Sequence, residues 1–229
     1  MWAELALVIG AYLLGSAPHL SFLARLRRVD LDGDFHRNLW YRAGRLTGAF
    51  GVVGEFVKGI LPVLVGRWLG FDLAFIAAAG LAAVCGQMWP VFSRFDGEKG
   101  NSIAIAMAFA LVPLAALLAI IPMIISIIVR TVPRLKSGYR ASGDGRIVGG
   151  EHSRSLPVGM AIGFLVLPVA AGCLGEPPVI VWSGAALFVL IMIRRLTAGL
   201  LTDVRSGRDI GGILLRRLLY DRATVDWRR

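Results

Sequence analysis

An all-α bundle of about seven membrane-crossing helices, N-terminus outside and C-terminus inside, is the fold class this sequence predicts, and three observations predict it. Hydrophobic residues make up 56% of the 229 and the mean hydropathy is +0.69, well above the half-apolar, quarter-charged balance of soluble domains. The apolar residues fall in runs that approach the roughly 20 residues needed to cross a hydrocarbon core. Arg and Lys cluster beside those runs, which gives the net charge of +10 a topological meaning and points to anionic lipid, not nucleic acid, as the partner surface. Cys85 and Cys173 both lie in apolar runs, a placement that suits packing and implies neither a disulfide framework nor a metal cluster.

The first run, Met1–Leu26, has Glu4 as its first charge and Arg25, Arg27 and Arg28 at its far end. That is the reverse of a signal peptide's order, so an uncleaved span starting outside is expected. Within it, Gly15-Ser16-Ala17-Pro18 predicts a kink at Pro18, with the Ser16 hydroxyl placed to satisfy a freed carbonyl. Arg27–Arg45 reads as a polar loop carrying Asp30, Asp32, Asp34, His36, Asn38 and Arg42; its aspartates lack the glycine position and closing Glu of a calcium loop. Leu46–Leu69 is the second span. Glu55 and Lys58 within it share a helix face, and each alone costs about 2.5–3.5 kcal/mol at mid-membrane. They are therefore expected to face protein or a watery cleft, paired with each other or near the headgroups.

Phe71–Phe92 is the third span and runs into Asp96-Gly97-Glu98-Lys99-Gly100. A glycine on each side of Glu98-Lys99 permits a tight turn whose N–H groups face an anion, which predicts a phosphate site at the membrane surface; a plain connecting loop is the alternative. Ser102–Val129 would measure roughly 42 Å as one straight helix, too long for one crossing and too short for two. A break near Val112-Pro113 keeps every basic loop on the inner side, as the positive-inside rule requires. Arg130–Arg154 reads as a Gly/Ser/Arg-rich cytoplasmic insertion, and Leu156–Leu174 and Val179–Ile193 are the last spans, joined by Gly175-Glu176-Pro177-Pro178. Residues 1–195 are thus expected to form the bundle and 196–229 a basic cytoplasmic tail. In that tail, Ile210–Tyr220, with Arg216 and Arg217, has the pattern of an amphipathic helix on the inner leaflet.

Three motifs in order carry a resemblance. Gly15-Ser16-Ala17-Pro18 stands in the first span. The second holds Glu55-Phe56-Val57-Lys58-Gly59-Ile60-Leu61-Pro62, and after the third come Gly86-Gln87-Met88-Trp89-Pro90 and then Phe95, Gly97-Glu98-Lys99-Gly100. The chain resembles the bacterial acyl-phosphate:glycerol-3-phosphate acyltransferases, seven-pass inner-membrane enzymes that begin phospholipid synthesis. The family patterns are Gly-Ser-x-Pro, acid-x-x-Lys-Gly-x-x-Pro and Gly-His-x-x-Pro-x-x-x-x-Phe-x-Gly-Gly-Lys-Gly. The resemblance implies transfer of an acyl group from acyl phosphate to glycerol 3-phosphate, giving lysophosphatidic acid, with no cofactor and no metal.

It also implies roles. Gln87 and Lys99 stand at catalytic positions; Asn38, Arg42, Gly97, Gly100 and Arg195 stand where substrate phosphate is held; Gly15, Ser16, Pro18, Glu55, Lys58, Gly59, Gly86 and Pro90 carry the motif structure. Departures fall near the chemistry. The family's Gly-Ser-Gly-Asn loop has no counterpart, its motif histidine is Gln87, which cannot take up a proton, and its Arg-His-x-x-Asn is Arg194-Arg195-Leu196-Thr197-Ala198. A substrate phosphate oxygen can take the proton instead. Two other classes stay open: a non-catalytic paralogue that binds lipid phosphate, and a small transporter component, to which the intramembrane charges and the broken helix point.

Overall fold

The computed structural model describes residues 1–30, 35–136, 155–200 and 210–221, which form ten helices and no strand. The first span is two helices, Trp2–Ser16 (α1) and His19–Arg27 (α2). They part at Ala17-Pro18, because proline has no N–H to give and pushes the residue before it out of helical geometry. Ala17 is accordingly extended, with φ −61° and ψ 125°. The Ser16 hydroxyl does not take a freed carbonyl as expected: it is buried with no hydrogen-bond partner.

Arg27–Arg45 is not all loop. Phe35–Arg42 forms a short helix, α3, because Phe35 and Leu39, four apart, can turn to one side. Leu39 is fully buried with Leu20 and Ala24, and Phe35 packs on that cluster. Asp32 and Asp34 lie outside the described residues. Arg45–Trp68 (α4) and Leu73–Met88 (α5) follow, and a 3₁₀ turn over Val91–Ser93 leads to the glycine loop.

Asn101–Leu111 (α6) and Pro113–Lys136 (α7) are separated where expected. The interruption exposes carbonyls, and Arg67 of α4 donates Nη2 to the Leu111 oxygen at 2.7 Å. Ile105 and Phe109 of α6 line one small apolar cavity with Ala116, Ile120 and Met123 of α7, so the two arms lie side by side. α6 rises only about 16 Å, roughly half a hydrocarbon core. α7 continues past Val129 to Lys136, which shortens the expected insertion; its remainder, 137–154, lies outside the described residues. Ser155–Cys173 (α8), Pro178–Thr197 (α9) and Ile210–Tyr220 (α10) complete the chain.

Counting α1 with α2, six helices among the described residues are long and apolar enough to cross a membrane, with α6 as a shorter seventh. Polarity is inverted relative to a soluble protein. Ile9, Val53, Ile125 and Val169 are exposed, whereas Glu55, Lys58, Gln87, Arg194 and Arg195 are buried. α5 and α6 form the middle with small side chains, Ala79, Ala83, Ala104 and Ala106 among them, which let helix backbones approach where lipid offers no hydrophobic drive. The closest approach is between α1 and α5: a Cβ on Gly15 would lie 2.1 Å from the Ala83 oxygen, and one on Gly86 2.2 Å from the Tyr12 oxygen. Gly59 does the same for α4 against α6, at 2.4 Å from the Ile103 oxygen.

Candidate functional site

The break at Ala17-Pro18, the middle of α4 and the end of α5 meet around one amide. Gln87 donates Nε2 to Glu55 Oε1 at 2.9 Å and accepts at Oε1 from Lys58 Nζ at 3.3 Å. Lys58 spends its other donors on the Gly15 oxygen, at 3.2 Å, and the Ala17 oxygen. Glu55 and Lys58 face protein, one of the placements expected of them, and Gln87 bridges the two. A primary amide suits this place because it offers a donor and an acceptor without charge. The ammonium, meanwhile, takes the carbonyls that the proline break left open.

His36 closes the network from α3. Its Nε2 donates to Glu55 Oε1 at 3.1 Å and lies 3.5 Å from Glu98 Oε2. Burial alone would lower the imidazole pKa, but the hydrogen bonds and charges of Glu55 and Glu98 outweigh it and raise it to about 10. His36 is therefore a fixed cation at neutral pH. Burial, with Glu55 as a like-charged neighbour, raises the Glu98 carboxyl against the pull of His36. His36, Glu55 and Glu98 place ligand atoms within 4.8 Å of one another, a spacing a divalent cation can use. Glu55 Oε1 already accepts from two side chains and His36 holds its proton, so an ion would have to displace both.

The glycine loop is pinned from two sides. Glu98 donates its N–H to the Gln87 oxygen at 3.1 Å, so this amide is not free to face an anion, contrary to the expectation from the sequence. Gly97 fits because a Cβ there would lie 2.2 Å from that same oxygen and 2.4 Å from Pro90 Cδ. From α9, Arg194 donates to the Gly97 oxygen, to the Glu98 oxygen at 3.3 Å and to Asp96 Oδ1 at 3.3 Å. Tyr12 donates to the Trp89 oxygen at 2.7 Å and holds the approach to the loop. Gly100 takes a left-handed φ of 72° as the N-cap of α6, and Ala104 is the first residue to donate back, to the Gly100 oxygen. The N–H groups of Asn101, Ser102 and Ile103 consequently have no partner within the helix.

The remaining expected residues divide. Lys99 pairs with Asp221 just past α10. Arg42 donates to the Asp30 oxygen at 3.3 Å, and Asn38 is buried within α3. The α3 segment is joined to the glycine loop by His36 and Glu98. Arg195 is buried and donates Nη1 to the Leu218 oxygen at 3.4 Å, with Nε and Nη2 unpartnered. Sequence reasoning passed over His36 and Arg194. Leu187, Ile191 and Arg194 follow one another at helical spacing, a usable signal that Arg194 shares their face, which the structure buries; nothing local marks His36.

Comparison with known proteins gives a consistent result. The family model described as glycerol-3-phosphate acyltransferase matches residues 5–201. A glycerol-3-phosphate acyltransferase of Geotalea daltonii is 39% identical over 52% of this chain and 64% of its own length, so the match spans under two thirds of that relative. One from Geobacter sulfurreducens is 34% identical over 74% of this chain and 90% of its own. Among solved structures, the glycerol 3-phosphate form of PlsY, an integral membrane glycerol 3-phosphate acyltransferase, superimposes with a TM-score of 0.65. It is 24% identical, with 90% of this chain and 94% of that one covered.

Proposed function

The chain belongs to the glycerol-3-phosphate acyltransferase family, and we propose that it transfers an acyl group from acyl phosphate to glycerol 3-phosphate, releasing phosphate and forming lysophosphatidic acid. The observation that carries this is the buried Glu55–Gln87–Lys58 network opening, through His36 and Glu98, onto a loop with Lys99 and the free start of α6. An acyl-phosphate reaction needs two anions held together and charge stabilised as the carbonyl is attacked. Lys99, Arg42 and Arg195 supply positive charge, Asn38 an amide, and the N–H groups after Gly100 a cradle for phosphate.

The acceptor hydroxyl adds to the acyl carbon, the bond from that carbon to phosphate oxygen breaks, and phosphate leaves. The hydroxyl proton must go somewhere. Gln87 cannot accept it, and His36, with a pKa raised to about 10, already carries one. We assign it to a substrate phosphate oxygen, which makes the reaction substrate-assisted, with Glu55 and Glu98 already engaged by His36; Gln87 fixes the geometry of Glu55 and Lys58 beside it. The site faces the cytoplasm. Arg25, Arg27, Arg28, Arg45, Arg94, Lys99, Arg194 and Arg195 gather toward this end of the bundle, while Glu4 meets Asp72 at the other, and basic ends stay inside.

Purified protein incubated with palmitoyl phosphate and a panel of polyol phosphates tests the reading. Lysophosphatidic acid formed with glycerol 3-phosphate, and not with its deoxy analogues, is the expected result. No lysolipid with any acceptor would leave a non-catalytic binder of lipid phosphate, the reading favoured by a Gln87 whose donor and acceptor are both engaged.

A further inference from the structure

The family match ends at residue 201, and α10 lies beyond it. This helix returns to the site. Arg217 donates to the Ala198 and Arg195 oxygens, and Arg195 donates to the Leu218 oxygen, so guanidinium groups lock α10 against the end of α9. The residue after it, Asp221, has a left-handed φ of 57° and donates its N–H to the Arg217 oxygen. A carboxylate at the negative end of a helix is unfavourable by itself. It is compensated here: Asp221 is nearly buried, its Oδ2 pairs with Lys99, and Arg195 feels its charge.

Lys99 comes from the glycine loop and Arg195 from α9; among the ion pairs of the described residues Lys99 meets Asp221 alone and Arg195 meets no carboxylate directly. Arg195, 2% exposed, keeps Nε and Nη2 buried without a hydrogen-bond partner among the described residues. A buried guanidinium with unspent donors and an ammonium that both meet the end of α10, at the Leu218 oxygen and the Asp221 carboxylate, suit an oxyanion with more acceptor oxygens than one carboxylate offers, such as a phosphate monoester. We propose that Lys99 and Arg195 form an anion site that Asp221 occupies in the absence of substrate, so that the C-terminal helix competes with substrate phosphate and sets its affinity. This rests on the acyltransferase reading for the identity of the phosphate, but not for the competition itself.

In the full-length protein with palmitoyl phosphate as donor, Asp221→Asn is expected to lower the KM for glycerol 3-phosphate about two- to fivefold, the scale of one partly exposed ion pair. The kcat is unchanged, and Asp221→Glu keeps the wild-type KM. An unchanged KM in Asp221→Asn overturns the proposal. Acetylation of Lys99 by acetic anhydride, read by mass spectrometry, tests the same competition without turnover. Lys99 should label faster in Asp221→Asn, and inorganic phosphate should protect it at lower concentration than in wild type. If neither form makes lysolipid, the acyltransferase reading falls and the labelling decides alone; equal rates with equal protection would then sink the inference.

Discussion

Gln87 holds a buried acid and a buried base at once, through Nε2 to Glu55 and Oε1 to Lys58. Truncation therefore takes one hydrogen bond from each of two charged partners, at a cost of roughly 1–3 kcal/mol apiece, while Glu55 keeps His36 and Lys58 keeps the Gly15 and Ala17 oxygens. Gln87→Ala should lower the melting temperature in detergent far more than Cys85→Ala two residues away, and a melting point equal to wild type would remove the network from any account of stability. His36 gives a pH signature. Its folded pKa, about 10, stands above the ordinary 6.5, so its stabilisation is complete below pH 6.5 and is lost as pH rises through 10. Glu98 is shifted upward as well; the folded state binds more protons at both groups, and stability falls with rising pH. Melting temperatures from pH 6.5 to 10 should decline more steeply in wild type than in His36→Gln. Parallel curves would mean that His36 is not held as a cation.

At the scale of elements, the crossing of α1 on α5 depends on backbone contact. With an added Cβ only 2.2 Å from the Tyr12 oxygen, Gly86→Ala must push the helices apart, at roughly 1–3 kcal/mol for overpacking. Gly172→Ala in α8 has nothing within 4 Å of its Cβ and serves as the control; equal melting points would show that the crossing yields cheaply. The breaks at Pro18 and Pro113 were legible because proline acts on its own neighbours whatever surrounds it. α3 was not, since eight residues carry too short a period to stand out from charge, and its burial of Leu39 depends on Leu20 and Ala24 arriving from α2. Ser16 misled for a related reason: the carbonyls freed beside it are taken by Lys58 from another helix.

For the whole molecule, orientation is the open quantity that charge predicts. With Cys85 and Cys173 replaced by Ala, a cysteine at Glu176, in the turn between α8 and α9, should react with an impermeant maleimide from outside intact cells, and one at Arg94 only after permeabilisation. The opposite pattern would invert the bundle and place the site outside. The number of long apolar helices and the motif order were determined by sequence alone, because hydropathy and proline chemistry are properties of contiguous residues that lipid reads directly. The partners inside the bundle were decided by tertiary structure. His36 between Glu55 and Glu98, Arg194 on the glycine loop and Asp221 on Lys99 join residues 19 to 122 positions apart. Charges withdrawn from lipid must be satisfied by whatever other helices bring to them, and no local pattern says which residue that will be.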